Sequence, residues 1–365
     1  MKITATRDQF LKPLQSVIGV VERRQTMPIL SNILLSARND SVTMTGTDLE
    51  VELVARSPAR VSQPGDITVP GRKFLDICRA LPETAEITLS ADGEKIQMRA
   101  GRSRFTLAGL PAADFPVIED IKSRETLTLP QAAFKHLIDK THFSMAQQDV
   151  RYYLNGLLLE TEGKTLRTVA TDGHRLALAE TALNEKASHA LQVIVPRKGV
   201  LELQRILAGE DNLELAIGSN HIRAQIGDIR FTSKLIDGKF PEYGRVIPAT
   251  PPHTVKADRD VMRQALQRTA ILSNEKYRGV RLTLGPNSLS TQAHNPEQEE
   301  AEDQIEVEYS GDAIEIGFNV TYLLEALAAV DQSTVEIGLT DANSSCLISG
   351  SGEKGSRYVI MPMRL

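Results

Sequence analysis

The chain has 365 residues, which is long enough for several hydrophobic cores and suggests two or three domains. Its 41% hydrophobic and 24% charged residues are ordinary for a folded protein and exclude wholesale disorder. The sequence has no run of about 18 apolar residues and no signal-peptide core, so we expect a cytoplasmic protein. A net charge of −5 suits a nucleic-acid binder only if the charge is unevenly distributed.

The cysteine content argues against a disulfide framework and a structural zinc site. Cys78 and Cys346 lie far apart, without a Cys-x-x-Cys or Cys/His cluster. We therefore expect two buried apolar cysteines, and we predict no metal and no cofactor.

Four sequence landmarks recur in the same order about 120 residues apart, which indicates an internal repeat. The first is an amphipathic helix followed by an apolar strand, at residues 8–21 and 28–35, 131–141 and 152–159, and 259–272 and 277–282. The second is a polar turn that closes a strand: Gly46-Thr47-Asp48, Ala170-Thr171-Asp172 and Ala293-His294-Asn295.

The other two landmarks complete each repeat. The third is a strand that runs into a helix, at residues 69–75, 195–201 and 318–324. The fourth is a strand that contains Arg104-Phe105, Arg230-Phe231 or Arg357-Tyr358. We predict three α+β domains, 1–121, 122–253 and 254–365, each with two helices packed on antiparallel sheets.

Apolar periodicity places the six helices at residues 7–20, 72–81, 131–141, 197–207, 259–269 and 319–330. Thr6 and Gln9 have the spacing of a capping box at the start of the first helix. Alternating segments such as residues 95–99 and 221–226 are typical of half-buried strands. The apolar stripes of the helices are interpreted as core.

Charge segregates with the predicted elements. The six helices contain 13 basic and 6 acidic residues, although the chain as a whole is acidic. Helices on the inside and strands on the outside would give a basic inner wall that faces phosphate. Alternatively, the enrichment reflects only the helix propensity of Lys and Arg.

Three similar domains joined with a constant rotation form an arc, which a head-to-tail contact between two chains can close. The predicted domains have net charges of 0, +2 and −7, so the first and third are suited to such a contact. The acidic run of residues 297–303 would face Arg99, Arg102 and Arg104 around Phe105 and Leu107. Alternatively, the run is a solvated loop.

Enzyme motifs are weak. Gly163-Lys164-Thr165 lacks the first glycine of a P-loop, because Leu158 stands there. Asp172 and His174 could act as a hydrolase pair, but no nucleophile elbow accompanies them. With 4% aromatic residues and no Trp, the sequence also offers little for stacking single-stranded bases.

Four motifs resemble those of one family: Thr45–Glu50, Gln148–Gly156, Ala170–Leu176 and Met361–Leu365. They are similar to the bacterial DNA polymerase III beta subunit family, the sliding clamps. The resemblance implies a head-to-tail homodimeric ring that encircles duplex DNA as a processivity factor without catalysis. It also implies tethering of the replicative polymerase, the clamp loader, repair proteins and translesion polymerases through short apolar motifs, with no membrane partner.

The resemblance also implies three sets of functional residues. The expected DNA contacts are Arg24, Arg72, Lys73, Gln148, Tyr152, Tyr153, Arg197 and Lys198. The expected peptide pocket is formed by Arg151, Leu154, Thr171, Gly173, His174, Arg175, Leu176, Pro241, Arg245, Val246, Asn319, Tyr322, Asn343, Ser345, Ile360, Met361, Pro362, Met363, Arg364 and Leu365. In this pocket Asn343 replaces an expected apolar residue, and Arg and His would orient the peptide.

The third set is the dimer contact. The resemblance places Lys73, Ile77, Leu81, Phe105 and Leu107 against Ile271 and Leu272, and charge complementarity adds Arg102, Arg104, Glu297, Glu299, Glu300 and Asp303. A competing hypothesis is a protein scaffold that never touches DNA. It predicts that reversing the charge of Arg24, Arg72, Arg197 and Lys198, each to Glu, leaves loading onto DNA unchanged.

Overall fold

A computed structural model describes residues 1–21, 27–118 and 121–364. In the first repeat, helices α1 and α2 are Arg7–Val17 and Gly71–Ala80. Strands β1–β9 are Lys2–Thr6, Asn32–Arg38, Ser41–Thr47, Val51–Pro58, Arg60–Gln63, Gly65–Pro70, Glu86–Asp92, Lys95–Ala100 and Ser103–Ala108. No helix in the described ranges is long and apolar enough to cross a membrane.

The second and third repeats contain the same succession of elements, except that they have no counterpart of β5. Helices α3–α6 are Gln131–Thr141, Arg197–Ile206, Arg259–Ala270 and Val320–Ala329. Strands β10–β17 are Glu125–Pro130, Gly156–Glu162, Thr165–Thr171, Arg175–Ala182, Leu191–Pro196, Asn212–Ile217, His221–Ile226 and Ile229–Lys234. Strands β18–β25 are His253–Asp258, Gly279–Gly285, Ser288–His294, Glu300–Glu306, Ile314–Asn319, Thr334–Leu339, Cys346–Gly350 and Ser356–Ile360.

Strand order confirms the threefold repeat and the α+β class. The order β6-β2-β3-β4 recurs as β14-β11-β12-β13 and as β22-β19-β20-β21. The order β1-β7-β8-β9 recurs as β10-β15-β16-β17 and as β18-β23-β24-β25. All of these pairings are antiparallel, as the alternating burial of the strands predicts.

Strands from neighbouring repeats pair with each other at two seams. At the first seam β4 pairs with β17, and at the second β13 pairs with β25, so that each seam creates an eight-stranded sheet. The chain therefore forms two compact units, residues 1–135 with 198–235 and residues 136–197 with 236–365. These units divide the second repeat, because β10 and β15–β17 pair into the sheet of the first seam and β11–β14 into the sheet of the second. The predicted domain boundaries remain predictions.

Most helix boundaries agree with the periodicity to within a residue. The Thr6 hydroxyl accepts from the Gln9 amide, and the Gln9 side chain accepts from the Thr6 amide, which forms the predicted capping box. α1 ends at Val17 and continues as a 3-10 turn over Ile18–Val20. In the first unit Phe10 packs edge-on against Phe74, with ring centroids 5.6 Å apart. Cys78 and Cys346 are buried thiols, as expected.

Two local predictions are wrong. The strands expected at residues 28 and 152 begin at Asn32 and Gly156, because 3-10 turns occupy Pro28–Ser31 and Tyr152–Leu154. Pro28 has no amide hydrogen to donate to a sheet and suits the first position of such a turn. The solvated-loop alternative for the acidic run holds only for residues 297–299, which form an exposed turn, because Glu300–Glu306 forms the edge strand β21.

A buried carboxylate lies at the first seam. Glu52 is 1% exposed, and its Oε2 accepts from the Ile118 amide at 2.9 Å. Its Oε1 lies 3.8 Å from the Arg230 guanidinium, beyond hydrogen-bond distance. Burial raises the pKa of Glu52, against the opposing effects of the Ile118 amide and Arg230.

We expect Glu52→Ala to reduce the free energy of unfolding by about 1–3 kcal/mol, because the partly buried Ile118 amide loses its hydrogen-bond acceptor and Arg230 loses the nearby carboxylate. Urea unfolding measures the change. Glu50→Ala is the control, because Glu50 is exposed and makes only a surface ion pair with Lys234. Equal stability of the Glu52→Ala variant and the wild type would contradict this role.

The raised pKa of Glu52 also predicts a pH dependence. The folded chain binds this proton more tightly than the unfolded chain does, so ionised Glu52 costs stability at neutral pH and protonation relieves that cost as the pH falls. Glu52→Gln should therefore flatten the acid side of the stability profile. An unchanged profile would show that Glu52 does not contribute to it.

Candidate functional site

Basic side chains occupy the first turns of α2 and α4. Arg72 and Lys73 follow the first residue of α2, and Arg197 and Lys198 open α4. Cations at a helix N-terminus oppose the helix dipole, so helix propensity does not explain their position. They suit a surface that faces anions, as predicted for DNA contacts.

Two of these side chains are held by specific partners. The Arg72 guanidinium donates to the Val21 carbonyl at 2.9 Å. The Lys198 ammonium lies 2.5 Å from the carboxylate of Asp48, a member of the first polar turn. Arg24, the remaining basic residue predicted to contact DNA, lies outside the described residues.

The predicted contacts Gln148, Tyr152 and Tyr153 lie in one loop before β11. Gln148 is exposed, with a left-handed φ of 56°. Tyr152 is 56% exposed, and its ring contacts that of Tyr153 edge-on at 5.7 Å. Tyr153 also lines a cavity in the second unit, so its surroundings differ from those of the other predicted DNA contacts.

That cavity, called here the anchor cavity, has a volume of about 230 Å³. Nine of the residues predicted for a peptide pocket line it: Arg151, Leu154, Thr171, Gly173, Arg175, Leu176, Pro241, Val246 and Met361. Tyr153, Glu242, Tyr243 and Val359 complete the lining. Its size and apolar floor suit one or two apolar side chains of a ligand.

The turn between β12 and β13 forms one side of the anchor cavity. Asp172 Oδ1 accepts from the amides of His174 and Arg175 at 2.9 and 3.0 Å. Gly173 has a φ of 89°, and a Cβ atom there would lie 2.9 Å from the Arg151 guanidinium. The left-handed backbone at this position favours glycine. The Asp172 carboxylate is engaged in the turn, which weakens the hydrolase alternative.

Ion pairs hold the two arginines of the cavity. Arg151 donates to both oxygens of Asp149 at 3.0 and 2.8 Å, and these hydrogen bonds lower the pKa of Asp149 to about 2. Arg175 donates to Asp172, to Glu325 on α6 and to the Phe143 carbonyl, and stacks 4.4 Å from the Tyr322 ring centroid. Its side chain is 11% exposed, and these contacts hold it in the cavity wall.

The connector after β17 forms the opposite wall. Pro241, Glu242, Tyr243 and Val246 line the cavity from a segment that includes the 3-10 turn Tyr243–Arg245. The Tyr243 hydroxyl donates to Glu160 and accepts from Arg167 at 3.1 Å. Burial and the bond to Glu160 raise the pKa of Tyr243 to about 12, so the hydroxyl stays protonated at neutral pH.

The other predicted pocket residues do not line the anchor cavity. His174, Arg245, Asn319, Tyr322, Asn343, Ser345, Ile360 and Pro362 lie outside its lining. Asn319 caps α6 instead, and Ile360 is buried in β25. Met363 and Arg364 line a second cavity of about 510 Å³ with Tyr277 and His294, and Leu365 is not described.

Three lining residues were missed from the sequence. Val359 had a usable signal, because it lies two residues before Met361 on a strand and so shares its face. Glu242 and Tyr243 follow the predicted Pro241 directly, but nothing in their spacing indicates which way the connector turns. Within the described ranges, no three His, Cys, Asp or Glu side chains are grouped as metal ligands would be.

The residues predicted for dimerisation lie on or near two sheet edges. Arg104, Phe105 and Leu107 belong to β9, an edge of the five-stranded sheet, and Arg102 precedes it. Glu300 and Asp303 belong to β21, and Arg268 on α5 pairs with Asp303 at 2.6 Å. Glu297 and Glu299 lie in the preceding turn, and Ile271 is 76% exposed after α5, beside the half-buried Leu272. Lys73 is exposed, Ile77 half-buried and Leu81 buried.

Comparison with known proteins supports the repeat from one end of the chain to the other. Models of the DNA polymerase III beta subunit match in three parts: the N-terminal domain at residues 1–119, the central domain at 128–242 and the C-terminal domain at 244–364. The beta sliding clamps of Escherichia coli K12 and Pseudomonas aeruginosa are 55% and 52% identical, over 100% of both chains in each case.

Solved structures agree with this comparison. The DNA polymerase III subunit beta of Pseudomonas aeruginosa superposes with a TM-score of 0.98 at 52% identity, and Caulobacter crescentus pol III beta with 0.96 at 41%, both over 100% of each chain. A further Pseudomonas aeruginosa sliding clamp, with a TM-score of 0.97 at 52% identity and the same coverage, is bound to griselimycin. With three successive domain models and full-length relatives above half identity, this chain belongs to the DNA polymerase III beta subunit family.

Proposed function

We propose that this chain is a DNA sliding clamp, a processivity factor without catalysis of its own. Two copies would close head to tail around duplex DNA and tether the replicative polymerase, the clamp loader and repair proteins. Ring closure is supported by two edge strands, β9 and β21, which are equivalent in their repeats to the strands that pair at the two seams. Family membership supports action on DNA in the cytoplasm.

The two seams follow one rule. At the first, Phe231 on β17 lies opposite Leu53 on β4, and at the second, Tyr358 on β25 lies opposite Ala177 on β13. Leu53 and Ala177 each follow the aspartate of the polar turn by five residues. The strands equivalent to these pairs, β9 and β21, are sheet edges in the described chain. Exposed edges favour addition of another strand.

Applying the same register to β9 and β21 gives a third seam between two chains. Ala301 lies opposite Ala293, as Ala177 lies opposite Ala170, so Phe105 should face Ala301 of the partner subunit. Arg104 then faces Glu302 of the partner subunit on the exposed side of the sheet. Opposite charges directly across an antiparallel pair are favourable, and they fix the register.

The DNA surface is proposed to lie at the helix starts. Arg72, Lys73, Arg197 and Lys198 would meet phosphate, and their positions against the helix dipole support this role. Encirclement requires few strong contacts, because topology retains the clamp while it slides. This agrees with an overall acidic chain.

The anchor cavity is proposed to hold the apolar residues of partner peptides. Leu154, Leu176 and Val359 give it a buried apolar floor, and the adaptable Met361 lies at its exposed rim. Griselimycin, which is bound to a similar clamp, is expected to occupy the same cavity here.

Retention on DNA tests encirclement. After loading, the wild type should stay on nicked circular DNA and leave when the circle is cut, whereas Arg72→Glu with Arg197→Glu should load several-fold less. Arg60→Glu with Lys95→Glu is the control, because it makes the same charge change on strands. Equal retention on circular and linear DNA, or unchanged loading of the helix variant, would favour the scaffold hypothesis.

A charge exchange tests the third seam. Arg104→Glu and Glu302→Arg should each raise the dimer dissociation constant by at least about tenfold, through like-charge repulsion in both contacts. An equimolar mixture of the two variants should form dimers again, because every contact then pairs opposite charges. Mass photometry measures both effects, with Arg60→Glu on the other edge of the five-stranded sheet as the control. Failure of the mixture to recover would refute the register.

Truncation of apolar residues tests the anchor cavity. Val246→Ala with Met361→Ala should weaken griselimycin binding by about 1–4 kcal/mol through lost apolar burial. The control is Val261→Ala with Met27→Ala, because Val261 matches Val246 at 45% exposure and Met27 at 42% nearly matches Met361 at 43%. Calorimetry measures both. Equal losses in the two variants, or no binding by the wild type, would refute the assignment.

A further inference from the structure

One face of the second unit's eight-stranded sheet is divided into an apolar end and a polar end. Leu158, Val169, Leu176 and Val359 form part of a buried apolar cluster at one end, next to the anchor cavity. On the same face, two residues away from Leu158, Val169 and Val359, stand Glu160, Arg167 and Arg357, and Glu180 stands two residues beyond the buried Leu178. The alternation of the strands therefore places charged residues directly beyond the apolar floor.

These charged residues and Gln192 form a row across five neighbouring strands, called the polar ladder. Gln192 on β14 donates to Glu160 on β11 at 2.6 Å, and Arg167 on β12 donates to Glu160 at 2.9 Å and to Glu180 on β13 at 3.0 Å. Arg357 on β25 lies 3.8 Å from Glu180. Consecutive members from Gln192 to Glu180 are direct cross-strand neighbours, so the register holds them in line.

Tyr243 joins this polar ladder to the anchor cavity. Its ring packs against the apolar cluster and lines the cavity, while its hydroxyl reaches Glu160 and Arg167. The nearby backbone hydrogen bonds of the connector are local, from Arg245 to Glu242 and from Val246 to Tyr243. The Tyr243 side chain is therefore a specific polar tie between this wall and the sheet.

We propose that Tyr243, Glu160 and Arg167 are positioning residues for the anchor cavity. They hold the wall that presents Pro241 and Val246 in its binding-competent place, although neither Glu160 nor Arg167 lines the cavity. This inference rests on the proposed peptide-binding function. When the wall is already ordered before binding, the entropic cost of ordering it does not reduce the affinity. The Tyr243 hydroxyl should therefore affect affinity without contacting the ligand.

The environment of the ladder supports a fixed wall. The Glu160 and Arg167 side chains are 14% and 20% exposed, so solvent screens their contacts only weakly. Burial raises the pKa of Glu160, but hydrogen bonds from Tyr243, Gln192 and Arg167 outweigh it and lower the pKa overall. Glu160 is therefore ionised at neutral pH and is a strong acceptor for the Tyr243 hydroxyl.

The test is Tyr243→Phe in the full chain, with griselimycin as the probe. The variant keeps the ring in the cavity and loses only the tie, so affinity should fall about five- to tenfold. Tyr309→Phe is the matched control, because the Tyr309 hydroxyl donates to the Asp312 carbonyl at 2.6 Å away from the cavity. Its affinity should equal that of the wild type, and the dimer mass should be unchanged in both variants.

A double-mutant cycle separates positioning from general stability. Glu160→Gln should also weaken binding, and the double variant with Tyr243→Phe should lose less affinity than the sum of the two, because both break one network. Additive losses, an affinity of Tyr243→Phe within twofold of the wild type, or an equal loss in Tyr309→Phe would overturn the proposal. If neither the wild type nor Leu176→Ala binds griselimycin, the proposed peptide-binding function of the anchor cavity is refuted instead of the positioning role.

Discussion

Antiparallel strand pairing between repeats is the interaction on which the rest of this structure depends. At each seam the fourth strand of one repeat meets the last strand of the next in the same register, and the resulting eight-stranded sheet is continuous. A sheet edge leaves backbone donors and acceptors without sheet partners, so a chain of repeats ends in two edges that match each other. The proposed closure of a ring by a second copy would pair these two edges.

The two seams differ in the residues around their polar turns. Leu176 on β13 and Glu52 on β4 hold the same place after the polar turn. At the first seam the Glu52 carboxylate accepts a hydrogen bond from the Ile118 amide, in the segment between β9 and β10. At the second, Leu176 leaves an apolar floor, and Gly173 replaces the left-handed Leu49 on the turn.

The two arginines that line the anchor cavity make ion pairs and hydrogen bonds within the chain. Arg175 is saturated by Asp172, Glu325 and the Phe143 carbonyl, and Arg151 is paired with Asp149. Buried ion pairs are costly unless their hydrogen bonds are well satisfied, and here they fix the turn that carries Gly173. On the opposite side the Tyr243 hydroxyl links the connector to Glu160 and Arg167 of the polar ladder. Hydrogen bonds to charged side chains therefore hold both walls of the cavity.

The sequence by itself determined the threefold repeat, the six helices and the capping box at Thr6, because periodicity and turn chemistry are local properties. The cavity residues Thr171, Arg175 and Leu176 were predicted from the family resemblance of the motif that contains them. Tertiary structure decided the rest. The pairing of β13 with β25, the 3-10 turns before Asn32 and Gly156, and the edge position of β21 depend on contacts between distant segments. For the same reason Tyr243 was missed, whereas Met363 and Arg364 were expected in the anchor cavity and line another. Strand spacing predicts which residues share a face, but it does not determine which segment covers that face.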